Sequence, residues 1–154
     1  MYLVTLALHS LLRWVVLAAG IVAFLRAVAG MRGRRAWTPA DSRAGQVFVG
    51  MLDLQLLLGI LLYLFLSPIT SVAFRDFGAA MSNSGLRYWA VEHLAGMVIS
   101  VALAHVGRAR VQKATEPARR HKLAAIFFGL ALAVMLASIP WPGTPSSRPL
   151  FRGF

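Results

Sequence analysis

Four long apolar stretches separated by polar segments set the pattern of this chain, at about 3–26, 45–66, 87–107 and 121–140. Each matches the roughly 20 helical residues that cross ~30 Å of hydrocarbon. The intervening segments carry turn residues and charge. GMRGRRAWTPADSR (30–43) is polar and contains a proline, SPITSVAFRDFGAAMSNSG (67–85) is rich in Ser, Gly and Asn, and GRARVQKATEPARRHK (107–122) is basic. After Pro140 and Pro142 the tail GTPSSRPLFRGF cannot continue a helix. The pattern predicts an all-α integral membrane protein: a single domain over 1–154, folded as an up-and-down four-helix bundle, with an irregular tail over 141–154. The first apolar run is too long for a signal peptide and lacks a basic leader, so it is expected to stay as a helix.

Composition agrees with that class. Hydrophobic residues make up 58% of the chain and charged residues 14%, against about a quarter charged in soluble domains. The net charge of +11 collects between the apolar runs rather than in one patch, which argues against nucleic acid. The chain has no cysteine. That excludes disulfides, thiolate metal sites, iron–sulfur clusters and covalently attached haem. Arg32, Arg34, Arg35 and Arg43 lie in the first connection; Arg108, Arg110, Lys113, Arg119, Arg120 and Lys122 lie in the third. The second connection and its edges hold only Arg75 and Arg87, and the tail only Arg148 and Arg152. The positive-inside rule then places connections one and three in the cytoplasm, against anionic lipid, and both termini outside. Tyr2, Tyr63, Tyr88, Trp89 and Trp141 all fall at the outer interface on this reading, as an aromatic belt.

The candidate chemistry lies inside the spans. His9 and His93 each fall about six residues, or roughly 9 Å, below the outer edge of helices 1 and 3. In an up-and-down bundle these helices are diagonal partners. Two histidines at equal depth on diagonal helices suit the axial ligation of a haem b iron. Gly96 and Gly20 are candidates for letting a backbone approach the ring, although glycine also serves helix packing. His105 and His121, near the cytoplasmic face, are weaker candidates for a second site. Arg13, one turn below His9, is expected to face the bundle and find a partner. Asp53 is at a similar depth, so an Arg13–Asp53 pair with Gln55 is expected, or else Arg13 serves a haem propionate or a quinone carbonyl. Arg87 is the other propionate candidate, and Glu92 a candidate to orient His93 or carry a proton. Met51, Met97 and Met135 read as core filling.

Several motifs carry a resemblance over nearly the whole chain: LHSLLRW (8–14), DLQLLLGILLY (53–63), RYWAVEHLAGM (87–97), QKA (112–114) and ASIPWP (137–142). In these the chain resembles small bacterial four-helix membrane proteins labelled cytochrome b-like. The resemblance implies a bacterial inner-membrane location and His9 and His93 as haem ligands. Some members carry histidine at the position of Asp53, so the resemblance implies no haem role for helix 2 here. The function expected is electron transfer by one haem b between the quinone pool and a partner near the outer face, alone or within a larger redox complex. The alternative is a haem-free accessory or assembly subunit, in which Arg13, Asp53, Gln55, His9, His93 and Glu92 form one buried polar network. A transporter would be expected to show a broken helix, which this pattern lacks.

Overall fold

In a computed structural model, which describes residues 1–144, 146 and 147, every regular element is helical. Tyr2–Arg32 forms α1, and Pro39–Leu61 forms α2, which runs on into a π-turn over Leu62–Leu66. Three short helices follow: α3 (Pro68–Arg75), α4 (Phe77–Ser82) and α5 (Ser84–Arg87). A second π-turn over Tyr88–Glu92 leads into α6 (His93–Lys113), and α7 is Pro117–Ala137. Four units are long and apolar enough to cross a membrane: Tyr2–Arg32, Pro39–Leu66, Ser84–Lys113 and Pro117–Ala137. The protein is therefore a multi-pass four-helix membrane bundle. Tail residues Arg148 and Arg152 lie outside the described residues.

Most helix ends extend past the apolar runs that predict them, though α7 stops at Ala137, short of 140. Hydropathy marks only the lipid-facing length, whereas capping sets the true ends. Thr38 and Asp41 form a reciprocal capping box at the start of α2, with Pro39 in the first turn. Pro117 opens α7 in the same way. The predicted 14-residue first connection therefore shrinks to the segment 33–38. The second connection, read as a segment of turn residues, folds into α3–α5. Their starts are fixed by side chains: Ser67 accepts from Thr70 N–H, Asp76 from Ala79 N–H and Asn83 from Leu86 N–H.

One buried carboxylate secures the end of the bundle that carries the basic connections. The Asp41 side chain is 1% exposed. It accepts from Arg26 Nε at 3.0 Å, from both terminal nitrogens of Arg35 at 2.9 and 3.0 Å, and from the Thr38 main-chain N–H and hydroxyl. Arg34 takes a positive φ of 48°, which turns the chain tightly after α1. The Arg35 guanidinium also donates to the Arg26 carbonyl, so the turn, α1 and α2 share one cluster.

The four long helices make a closed ring of neighbours. α1 packs on α2 and α7, and α6 packs closely on α7 and more loosely on α2. α1 and α6 are thus diagonal, as are α2 and α7. The core differs by level. Towards the basic end, Phe48 of α2 and Phe128 of α7 meet edge to face across the diagonal at 5.6 Å. Gly20 lies against Phe48 and Leu132, so its smallness serves this packing and not a cofactor ring. His121, expected near the headgroups, is fully buried. It stacks at 4.8 Å on Trp37 and fills the space that a Cβ at Gly30 would need.

This fit makes a prediction. Gly30→Ala forces the His121 ring to move and should cost about 1–3 kcal/mol. The unfolding midpoint in detergent should fall accordingly, and His121→Ala in the same chain should recover most of the loss. Equal stability of Gly30→Ala and wild type would refute the contact.

Candidate functional site: two histidines across a cleft

At the other end of the bundle the diagonal pair is α1 and α6, and it leaves a cleft where α2 and α7 fill the centre with rings. His9 and His93 face each other there, with ring centres 6.5 Å apart and planes at 73°. The cleft is lined by residues of all four long helices, among them Tyr2, Arg13, Gln55, Gly59, Met97 and Met135. Along α1 it reaches from Tyr2 to Arg13, which is about 16 Å of helix.

The end of α7 fixes His93. α7 ends at Ala137, so the carbonyl of its C-cap residue Ser138 has no helical N–H to accept from. The carbonyl is instead taken by His93 Nδ1 at 2.8 Å and by the Tyr88 hydroxyl at 2.7 Å. Since a carbonyl only accepts, Nδ1 carries the proton and His93 presents Nε2 as its lone-pair nitrogen. Gly96 makes the approach possible, because a Cβ there would collide with the Ser138 side chain. Its role is to seat the end of α7 beside His93, not to admit a ring. Trp89 covers His93 at 5.5 Å.

His9 is held from α2. Gln55 Nε2 donates to the His9 main-chain carbonyl at 2.9 Å. A Cβ at Gly59 would lie 3.2 Å from the His9 ring, so this glycine sets how closely α2 approaches it. His9 Nδ1 and Gln55 Oε1 are sealed, with no hydrogen-bond partner among the described residues. Both π-turns border the site, and the Tyr63 hydroxyl of the first donates to the Ala90 carbonyl of the second at 2.6 Å. Such turns recur at functional sites because they re-aim side chains.

Three expected partnerships are replaced by others. Asp53 does not complete a buried pair with Arg13: it meets His105 Nε2 at 2.7 Å on the half-exposed seam between α2 and α6. The one-residue offset from Leu52, which is buried, and two-residue offset from Gln55 turn Asp53 outward. Arg87 is not at the cleft: its Nε donates to Glu92 at 2.7 Å and a terminal nitrogen to the Met81 carbonyl, in an exposed setting. Glu92 is therefore engaged by Arg87, and the Ser138 carbonyl does the orienting expected of it. His105 faces α2 while His121 faces α1 and Trp37, so these two do not converge on a second site. Arg13 is buried and lines the cleft with His9 and His93, as its spacing predicts. Met97 and Met135 line the cleft, and all three methionines pack on the core.

The donor set suits a bis-imidazole centre. Two imidazoles on one metal, each with a metal–nitrogen bond of about 2 Å, place their ring centres about 6 Å apart, close to the 6.5 Å found here. His93 also has the carbonyl that fixes a ligating tautomer. The enclosed part of the cleft is about 120 Å³, the scale of a single aromatic ring. It is continuous with open space, and a tetrapyrrole, several times the size of one aromatic ring, would lie mostly outside the enclosure. Gly59 and Ser138 are site residues that the sequence pattern alone leaves unmarked, whereas Gly96 is marked there but meets the Ser138 side chain.

The separation of the pairs predicts that Arg87 and Glu92 couple weakly. A double-mutant cycle with alanine should give about 0.2–1 kcal/mol, as for exposed ion pairs. A coupling above that range, read by unfolding in detergent, would return Glu92 to the buried network. Comparison with protein-family models, with curated proteins and with solved structures finds no match for this chain.

Proposed function

We propose that this protein is a membrane electron-transfer protein that holds one haem b between His9 and His93. The observation that carries the reading is the pair of imidazoles facing each other across the diagonal at 6.5 Å. In it, His9 and His93 would hold the haem iron, the Ser138 carbonyl positions His93, and Arg13 would offer positive charge inside the cleft to a propionate. Haem b held there supplies one-electron chemistry, with a potential tuned by burial and by the hydrogen bond to the ligand. Trp89 and Tyr2 shield the centre at the end of the bundle that lacks the basic connections. By the positive-inside rule that end is outer and both termini are outside; the resemblance to small bacterial membrane proteins implies a bacterial inner membrane. The protein passes electrons between the quinone pool and an acceptor on that side, alone or as part of a larger complex.

The size of the enclosed cleft favours one second reading, in which the same residues bind a quinone head. Arg13, Gln55 and the histidines would then serve as donors to its carbonyls. The scaffold reading is weaker, because the polar residues divide into separate pairs and the Arg13–Asp53 pair is replaced.

One experiment separates these. The protein is expressed with ample haem and purified in detergent, and its dithionite-reduced minus oxidised spectrum is recorded with solvent extraction of bound quinone. A b-type spectrum lost in both His9→Ala and His93→Ala is expected, with Gly59→Leu also lowering haem content by crowding His9. Quinone without haem would select the second reading, and neither would overturn both. A periplasmic reporter fused after Phe154 should be active; activity only from a cytoplasmic reporter would invert the orientation.

A further inference from the structure

An acid–base pair sits on the outside of the bundle. Asp53 and His105 meet at 2.7 Å with their side chains 42% and 50% exposed. Asp53 lies midway along the unit Pro39–Leu66, about 20 Å of helix from either end. His105 lies about 4.5 Å along the helix from Arg108, where the basic end of α6 begins. The pair is thus in the inner part of the hydrocarbon zone, towards the basic end. Ionisable side chains at such depth face a bundle interior or a water-filled cavity, since lipid offers them no partner. These two face neither within a single chain. Their exposed surroundings are apolar: Leu54 and Leu57 on α2, and Val106 on α6. Gly50, one turn before Asp53, has nothing within 4 Å of the place where a Cβ would be, so no contact within the chain asks for its smallness.

We propose that the α2–α6 seam is the interface of a two-fold homodimer in the membrane, in which Asp53 of each copy meets His105 of the other. Charge complementarity selects a second copy as the occupant. A two-fold axis along the membrane normal, passing through the seam, brings the acid of one copy opposite the base of its partner and the base opposite the acid, at the same depth. That reciprocity is what an isologous interface requires. Any other membrane protein would have to carry its own acid and base in matching order at this depth. Gly50 and Ala102, on the exposed seam, let the paired helices approach, and the four ionisable groups hydrogen-bond across them. The inference does not depend on what the cleft with His9 and His93 binds.

The absence of cysteine makes the test direct. Single cysteines at Gly50, Leu57 or Ala102, oxidised in native membranes, should give a disulfide-linked species at twice the chain's 16.7 kDa. Cysteines at the exposed positions Val22 of α1 and Leu130 of α7 should not. Seam cross-linking no greater than at these controls, or cross-linking to a different protein, overturns the proposal. Charge order gives a second arm. Asp53→His alone and His105→Asp alone place like groups opposite each other, and each should lower the dimer fraction in lipid vesicles at least 10-fold. The double exchange should restore it. A dimer fraction that ignores the single changes, or is not restored by the exchange, places the interface elsewhere.

Discussion

The half of this bundle away from the basic connections depends on one main-chain oxygen. Inside a bilayer no water is present to satisfy a carbonyl, so an oxygen left over at a helix end must find a protein donor. α7 ends at Ala137, which leaves the carbonyl of its C-cap residue Ser138 without a helical N–H, and His93 and Tyr88 take it instead. That single acceptor ties the end of α7 to the start of α6, sets the proton position on His93 and points Nε2 away from the bond. Gly96 is the steric condition for it. The site is in this sense a consequence of how α7 ends.

The diagonal geometry explains why the cleft is at one level only. Four helices in a ring leave a central channel that side chains must fill. Towards the basic end, Phe48 and Phe128 fill it from α2 and α7, and His121 plugs the space over Gly30. Towards the other end, α1 and α6 contribute imidazoles, and the gap between them is bordered by two π-turns linked through Tyr63 and Ala90. The Asp41 cluster holds the far end rigid by tying α1, the first turn and α2 together. Spacing of the helices around the cleft is thereby fixed at both ends.

The ionisable residues do not form one network. They separate by face: Asp41 with Arg26 and Arg35, Arg87 with Glu92, Asp53 with His105, and Arg13 in the cleft beside the histidines. This separation matters because each pair answers to a different environment. The first is sealed, the second is wet, and the third lies at membrane depth with its outer side uncovered. The Asp53–His105 pair lies on the α2–α6 seam, apart from the cleft.

The sequence by itself determined the class, the number of spans and the facing of His9 and His93. Those follow from lengths of apolar runs and from antiparallel connectivity, both of which are properties of the chain read one residue at a time. It also located Arg13 on the His9 face through their four-residue spacing. Partner choice was not legible in the same way. Depth along a helix is readable from a sequence, but rotation about the helix axis is set by which neighbours pack. Asp53 and Arg13 share a depth and still part company, because packing buries Leu52 and Gln55 and turns the intervening Asp53 to the seam. The helix ends moved outward because caps such as Thr38 with Asp41, and not hydropathy, decide where a helix starts. The contacts of Gly59 and Gly96 came from tertiary structure alone, since a glycine in a membrane helix carries no mark of which ring or chain it will meet.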